Sequence, residues 1–167
     1  TDRSKMYYYY GYIYFSSEKY LLAEQAYKDL MNEPDSNDQE RLGSLYSLAQ
    51  LSYIREDYQG SIDYLLRWLD LEEDPSADAY ALLSTTYYQM EEFKTSVENI
   101  IIAIDMQESR DIPITRPVLD EEGNETGETV ETGETKKGVA KENHYLLKMA
   151  LFTELKRDLD VLPIYEI

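Results

Sequence analysis

The chain has 167 residues and sets 34 acidic side chains against 16 basic ones, a formal charge of −18. That charge repels phosphate backbones and anionic headgroups wherever salt does not screen it, so nucleic acid and membrane surfaces are not expected partners, whereas a basic peptide or protein remains open. The length suits one core, so residues 1–167 are expected to form a single domain; zero cysteines remove disulfides, thiolate nucleophiles and cysteine zinc sites, and no apolar run reaches the ~20 residues of a membrane span.

The opening at Thr1-Asp2-Arg3 reads as the start of a processed or excised piece of something longer. The first element to interpret is MYYYYGYIYF at residues 6 to 15, six tyrosines around one glycine. Tyrosine favours strands, but no turn signal or partner strand lies nearby. The spacing instead predicts a helix from about Arg3 to Ser16, with Tyr7, Tyr10 and Tyr14 on its core face.

The reason lies downstream, in an internal repeat. Gly11, Ala49 and Ser84 are separated by 38 and 35 residues, and the same two intervals relate Tyr20, Tyr58 and Phe93, then Ala23, Ser61 and Ser96. Each unit therefore places a small residue, an aromatic, and a second small residue in one register. The segments SSEKY (16 to 20), REDYQ (55 to 59) and MEEFK (90 to 94) read as turns within units, and Pro34 and Pro75 fall where units end. The longer first interval is assigned to an extended connection at Glu33 to Glu40, and the second to a slight extension near Glu72 to Ala77.

A fourth unit follows at a shift of 65 residues, mapping Tyr80 onto Tyr145 and Tyr87 onto Phe152, although Phe93 then falls on Asp158. Its last helix is predicted to begin near Asp160, with Pro163 in the first turn. Between units three and four lies an insertion, residues 110–141. Its segment Asp120 to Glu134 holds seven acids, no base and three of the seven glycines. It forms either a flexible loop or a protruding hairpin pairing Ile112, Ile114 and Val118 with Thr129, Val130 and Thr132 about Gly123-Asn124.

No chemistry stands out. The sole histidine, His144, has no second histidine or cysteine with which to build a zinc site, and is expected at the surface. No nucleophile elbow and no phosphate-cradling loop is present, and the acids around residue 120 do not match the spacing of a calcium loop. A non-catalytic protein without metal or cofactor is expected.

The pattern resembles the tetratricopeptide repeat, a helix-turn-helix unit of ~34 residues that stacks into a solenoid. The resemblance implies an all-α fold, a right-handed superhelix of about 3.5 to 4 antiparallel helix pairs interrupted by the acidic insertion. In such arrays the first helices of successive units line a concave groove that accepts an extended peptide or a partner's helix. The face left over from the core gives that groove as Tyr8, Tyr9, Tyr12 and Phe15 in unit one, Tyr46, Ser47, Gln50 and Tyr53 in unit two, and Ala81, Leu82, Thr85 and Tyr88 in unit three. An aromatic groove suits a proline-rich or otherwise extended segment, and with only Lys5 near one end it does not suit capture of a terminal carboxylate. The alternative is that these rings pack on neighbouring helices or on a helix upstream of the given sequence.

The segments GYIYFSSEKY (11 to 20), SLAQLSYIREDYQGSIDYLLRW (47 to 68), AYALLSTTYYQMEEF (79 to 93) and ENHYLLKMALFTEL (142 to 155) resemble tetratricopeptide proteins encoded beside TonB-ExbB-ExbD systems of marine gammaproteobacteria. That resemblance implies a periplasmic scaffold, a cytoplasmic one being the alternative, with a TonB-type protein as ligand. A different reading is a structural segment that self-associates, or stacks on further repeats, through its ends.

Overall fold

The computed structural model describes residues 2–119 and 125–161. Six helices come as three pairs: α1 (Asp2–Ser16) with α2 (Tyr20–Asn32), α3 (Asp38–Ile54) with α4 (Tyr58–Leu71), and α5 (Ala77–Gln89) with α6 (Phe93–Ser109). A hairpin of β1 (Asp111–Leu119) and β2 (Glu125–Lys137) follows, then α7 (Glu142–Val161). Each helix packs on the one before and the one after, while α1 also touches α3 and α5 touches α7.

Within each pair, the predicted turn is closed the same way three times. Lys19, Asp57 and Glu92 donate backbone N–H bonds of 2.8, 2.9 and 2.9 Å to Tyr14, Ser52 and Tyr87, and the residue before each of them is a glutamate in the left-handed region. Glu18, Glu56 and Glu91 have φ of 58°, 63° and 61°. A non-glycine residue held there costs ~1 kcal/mol, so three in register show that packing of the paired helices overrides local preference.

That packing runs through the small residues. Gly11 is buried against Tyr27, and a Cβ there would come within 2.6 Å of the ring. Ala23, Ala49, Ser61, Ser84 and Ser96 are all fully buried. In the third pair the two serines reciprocate: Ser84 Oγ donates to the Ser96 carbonyl at 2.7 Å, and Ser96 Oγ to the Ser84 carbonyl at 2.6 Å. In the second pair Ala49 offers no hydroxyl, and Ser61 Oγ is buried with no hydrogen-bond partner. Between pairs the core continues through Leu48 and Leu51 against Ala23 and Tyr27, Leu83 against Ile62, Leu65 and Trp68, and Leu151 with Ile100 and Ile104.

Several expectations are corrected. The two connections between pairs have the same length, residues 33–37 and 72–76, so the longer first interval is not an extended loop. It is an added helical turn at the start of α3, fixed by a capping box in which Asn37 Oδ1 accepts from Glu40 N at 2.8 Å and Glu40 Oε2 from Asn37 N at 3.2 Å. Tyr10 is exposed rather than core, because no described helix lies on that side of α1; Tyr27 fills the space beneath Gly11 instead. His144 is buried rather than at the surface. A helix beginning near Asp160 is also overturned, since α7 runs unbroken through Asp160 to Val161. Its segment Glu154-Leu155-Lys156-Arg157 consists of strong helix formers, and the register places Asp158, not an aromatic, where Phe93 closes the third pair. Pro163 lies outside the described residues.

The insertion is a hairpin, and the expected turn at Gly123-Asn124 falls outside the described residues. Arg116 pairs with Val130 and Pro117 with Thr129, whereas Ile112 lies opposite Lys136. The repeat ETGETV-ETGETK sets two bulges into β2, at Gly127 (φ 84°) and Gly133 (φ 81°). Beside each, a threonine hydroxyl bonds across to β1 at 2.9 Å, Thr126 to the Val118 carbonyl and Thr132 to the Ile114 carbonyl. Every residue of β2 is exposed.

The unpartnered Ser61 hydroxyl gives a test of the crossing geometry. Ser61→Ala removes a buried polar group without changing the close approach, so it is expected to raise unfolding stability by about 1 kcal/mol, read as a higher urea midpoint. Ser96→Ala is expected to lower it by a similar amount, because it strands its partners in the third pair.

Candidate protein-binding face

Tyr8, Tyr9 and Tyr12 stand on α1 at 37, 62 and 63 % exposure. Tyr8 meets Tyr9 and Tyr27 edge-on, each at 6.4 Å between ring centres, and Gly43 of α3 lies opposite, where a Cβ would just touch the Tyr8 ring at 3.4 Å. Burial pushes the Tyr27 phenol above its ordinary value, while a hydrogen bond from Ser47 works the other way. Tyr27 therefore stays neutral and acts as a floor for the exposed rings. Beside them opens a recess of about 310 Å³ lined by Lys5, Tyr8, Tyr9, Asn37, Gln39 and Glu40. The added turn of α3 places the last three of these next to α1.

The other residues expected in the groove sit elsewhere. Phe15, Tyr53 and Tyr88 each pair with the first aromatic of the following helix, at 6.1 Å from Tyr20, 5.7 Å from Tyr58 and 5.7 Å from Phe93. They seal the turn end of their own units. Tyr46 leans on Trp68 at 5.1 Å and joins the central core cluster, its phenol pushed up by burial and by the nearby Asp78 carboxylate. Thr85 donates its hydroxyl to the Ala81 carbonyl at 2.8 Å, and Gln50 is half-buried between these rings in sequence. The nine residues thus divide into three exposed tyrosines at one end and six that are at most half-exposed.

Two wider openings lie along the same edge, where the connections between pairs run. One of about 780 Å³ is lined by Asp38, Arg41, Leu42, Arg67 and Leu71 among others. The next, of about 600 Å³, lies between the start of α5 and the root of the hairpin, lined by Asp74, Ser76, Asp78, Arg110 and Lys141 among others. Lys141 Nζ bonds to Asp78 Oδ1 at 2.6 Å. Near that pair His144 is 4 % exposed, and its Nδ1 has no hydrogen-bond partner. The signal was present in the shift of 65 residues, which aligns His144 with the buried Ala79, but a lone polar side chain was read as a surface one.

Among the described residues no cluster of three or more His, Asp or Glu could hold a metal ion, and no helix is long and apolar enough to cross a membrane.

No protein-family model and no curated protein matches the sequence. Solved structures do match. The C-terminal TPR-containing domain of a Plasmodium falciparum FK506-binding protein superposes with a TM-score of 0.66 at 12 % identity, covering 95 % of this chain and 92 % of that one. The chain shares the tetratricopeptide-type helical-repeat fold. The crystal structure of MamA matches with a TM-score of 0.54 at 20 % identity over 63 % of this chain, and the chain spans 55 % of MamA's length. The TPR2B domain of yeast Sti1, solved as a complex with pHsp70, matches with a TM-score of 0.54 at 14 % identity, over 62 % of this chain and 79 % of that one.

Burial and the Lys141 ammonium hold the His144 imidazole below its ordinary value, with Asp78 opposing them. The unfolded chain therefore takes up the proton first, and the stability that neutral His144 contributes is lost as pH falls through the ordinary imidazole value of 6.5 towards the lower folded value. Unfolding midpoints measured from pH 7.5 down to 5.5 are expected to fall more steeply for the native chain than for His144→Gln. Parallel curves would show that His144 does not titrate with folding.

Proposed function

We propose that the chain is a non-catalytic protein-interaction module that takes an extended, proline-rich peptide against the Tyr8, Tyr9 and Tyr12 end of the first-helix face. The observation that carries this reading is the three exposed tyrosines beside a recess, set over the neutral Tyr27 floor. Flat, rigid rings offer large contact area at little entropic cost, and proline-rich segments are already extended. Glu40 within the recess opposes a ligand carboxylate, and Asn37 Oδ1 is already engaged by the α3 cap, so a neutral stretch of peptide fits better than a chain terminus. The Sti1 complex with pHsp70 supports a module of this fold engaging another protein.

The finer parts of this reading extend the resemblance. The ligand is a TonB-type protein with a proline-rich stem, the compartment is the periplasm, and the helix pairs wind as a right-handed superhelix within one domain. The groove occupied by the ligand is short, confined to α1 and the start of α3, because Phe15, Tyr53 and Tyr88 are committed to their own units.

Titration of a labelled proline-rich peptide, followed by fluorescence anisotropy, tests this. Tyr12→Ala and Tyr8→Ala are expected to weaken binding by about tenfold, equivalent to ~1.4 kcal/mol, with the thermal melt unchanged for Tyr12→Ala. Tyr53→Ala and Tyr88→Ala are expected to lower the melting temperature instead. Equal affinity for the native chain and Tyr12→Ala would remove this face from the function.

A further inference from the structure

The register identifies a second surface. Ser44, Leu48 and Leu51 on α3 are buried where that helix seats against the preceding pair, and 35 residues on Ala79, Leu83 and Thr86 of α5 are buried in the same way. A further 65 residues on, His144 and Leu151 of α7 are buried too. Thirty-eight residues before the α3 set, the same seat on α1 is Met6, Tyr10 and Ile13, and these are 41, 44 and 53 % exposed. So α1 carries the surface by which one helix pair docks on another, and no described helix covers it. Tyr9 widens the stripe, giving apolar side chains at i, i+3, i+4 and i+7.

We propose that a second copy of this chain covers this stripe, α1 packing antiparallel on α1 about a two-fold axis. Three features of the sequence and structure support that occupant. The stripe is self-complementary: reversing it about a two-fold axis at its centre sets Met6 against Ile13 of the other copy and brings Tyr9 beside Tyr9 and Tyr10 beside Tyr10, as an isologous contact requires. It is also uncharged. Residues 6 to 17 (MYYYYGYIYFSS) contain no ionisable acid or base other than tyrosine, although the whole chain carries −18, so this is a face on which two such chains can meet without opposing carboxylates. Finally, the ends are compatible. Asp2, Arg3 and Lys5 flank the stripe on one side and Glu18 and Lys19 on the other, so each end carries both signs and the reversal opposes no block of like charge. The seat itself continues a mode of contact that the fold already uses between its own pairs.

This surface differs from the peptide face: Tyr10 and Ile13 do not line the recess, while Tyr9 borders both and Lys5, at the edge of the stripe, also lines the recess. The dimer can therefore fail while peptide binding holds, and the reverse. Sedimentation velocity on the full chain across a concentration series reads the proposal. A reversible monomer–dimer equilibrium is expected, and Ile13→Glu should raise the dissociation constant at least ~100-fold by burying an unpaired carboxylate. Met149→Glu serves as the control, since Leu146, Met149 and Phe152 form an exposed apolar stripe on α7 at the far end of the stack. It should leave the dimer intact. Because the chain has no cysteine, Tyr10→Cys provides a second reading that does not depend on disrupting the contact: mild oxidation should cross-link it to a disulfide dimer, and Met149→Cys should not cross-link. A chain that stays monomeric throughout, a dimer that survives Ile13→Glu, open-ended growth abolished by Met149→Glu, or failure of Tyr10→Cys to cross-link would each overturn the proposal.

Discussion

In each pair the two helices approach where small residues are buried at fixed register, Gly11 and Ala23, Ala49 and Ser61, then Ser84 and Ser96, and the rest of the molecule is arranged around that approach. Gly11 admits the Tyr27 ring, and Ser84 and Ser96 exchange hydrogen bonds across the crossing. A close approach brings the following turn under strain, visible as Glu18, Glu56 and Glu91 in the left-handed region. The turn in turn sets the aromatic pairs Phe15–Tyr20, Tyr53–Tyr58 and Tyr88–Phe93, which close the same end of each unit. One steric constraint, repeated at fixed register, therefore fixes turn, aromatic seal and the seat for the next pair.

The same constraint explains where function can reside. Rings paired across a turn have one side committed to the next helix, so part of the aromatic wealth of the first helices is structural. What remains free is α1, where Tyr8 looks towards Gly43 of α3 and Met6, Tyr10 and Ile13 occupy a seat that α3, α5 and α7 fill with buried residues. The hairpin, exposed along the whole of β2 and bulged at both Thr-Gly-Glu steps, leaves α7 in its expected place on α6 and α5. Pro113 and Pro117 have no N–H to present to an added strand, which suits an arm that does not extend into a larger sheet.

Much of the fold could be read from spacing alone. Two intervals repeated across three residue classes predicted the helix pairs, the three turns and the helical state of MYYYYGYIYF. What spacing could not show was which side of each helix would be covered. Tyr10 and Leu48 hold the same register, yet one is exposed and the other buried, because coverage is a property of the neighbouring helix and not of the residue. The inward contacts of the groove candidates were not legible for a related reason: Phe15, Tyr53 and Tyr88 lie on the leftover face in a helical projection, but rings at the last turn also reach across to the next helix. His144 was misread because its polarity was weighed above its register: the shift of 65 that maps Tyr80 onto Tyr145 also maps the buried Ala79 onto His144. The added turn of α3 was written plainly in Asn37 and Glu40, a capping box that outweighs the loop-like composition of EPDSNDQE.

The close crossing is tested most directly at Gly11, where two physical rules give opposite signs. A glycine within a helix ordinarily gains about 1 kcal/mol on replacement by alanine, through lower backbone entropy and better helix propensity. Here the new methyl would sit 2.6 Å from the buried Tyr27 ring, an overlap that forces repacking at a cost of about 1–3 kcal/mol. The urea unfolding midpoint of Gly11→Ala should fall below that of the native chain. A midpoint that rises would contradict the claim that small residues hold these helix pairs at their distance.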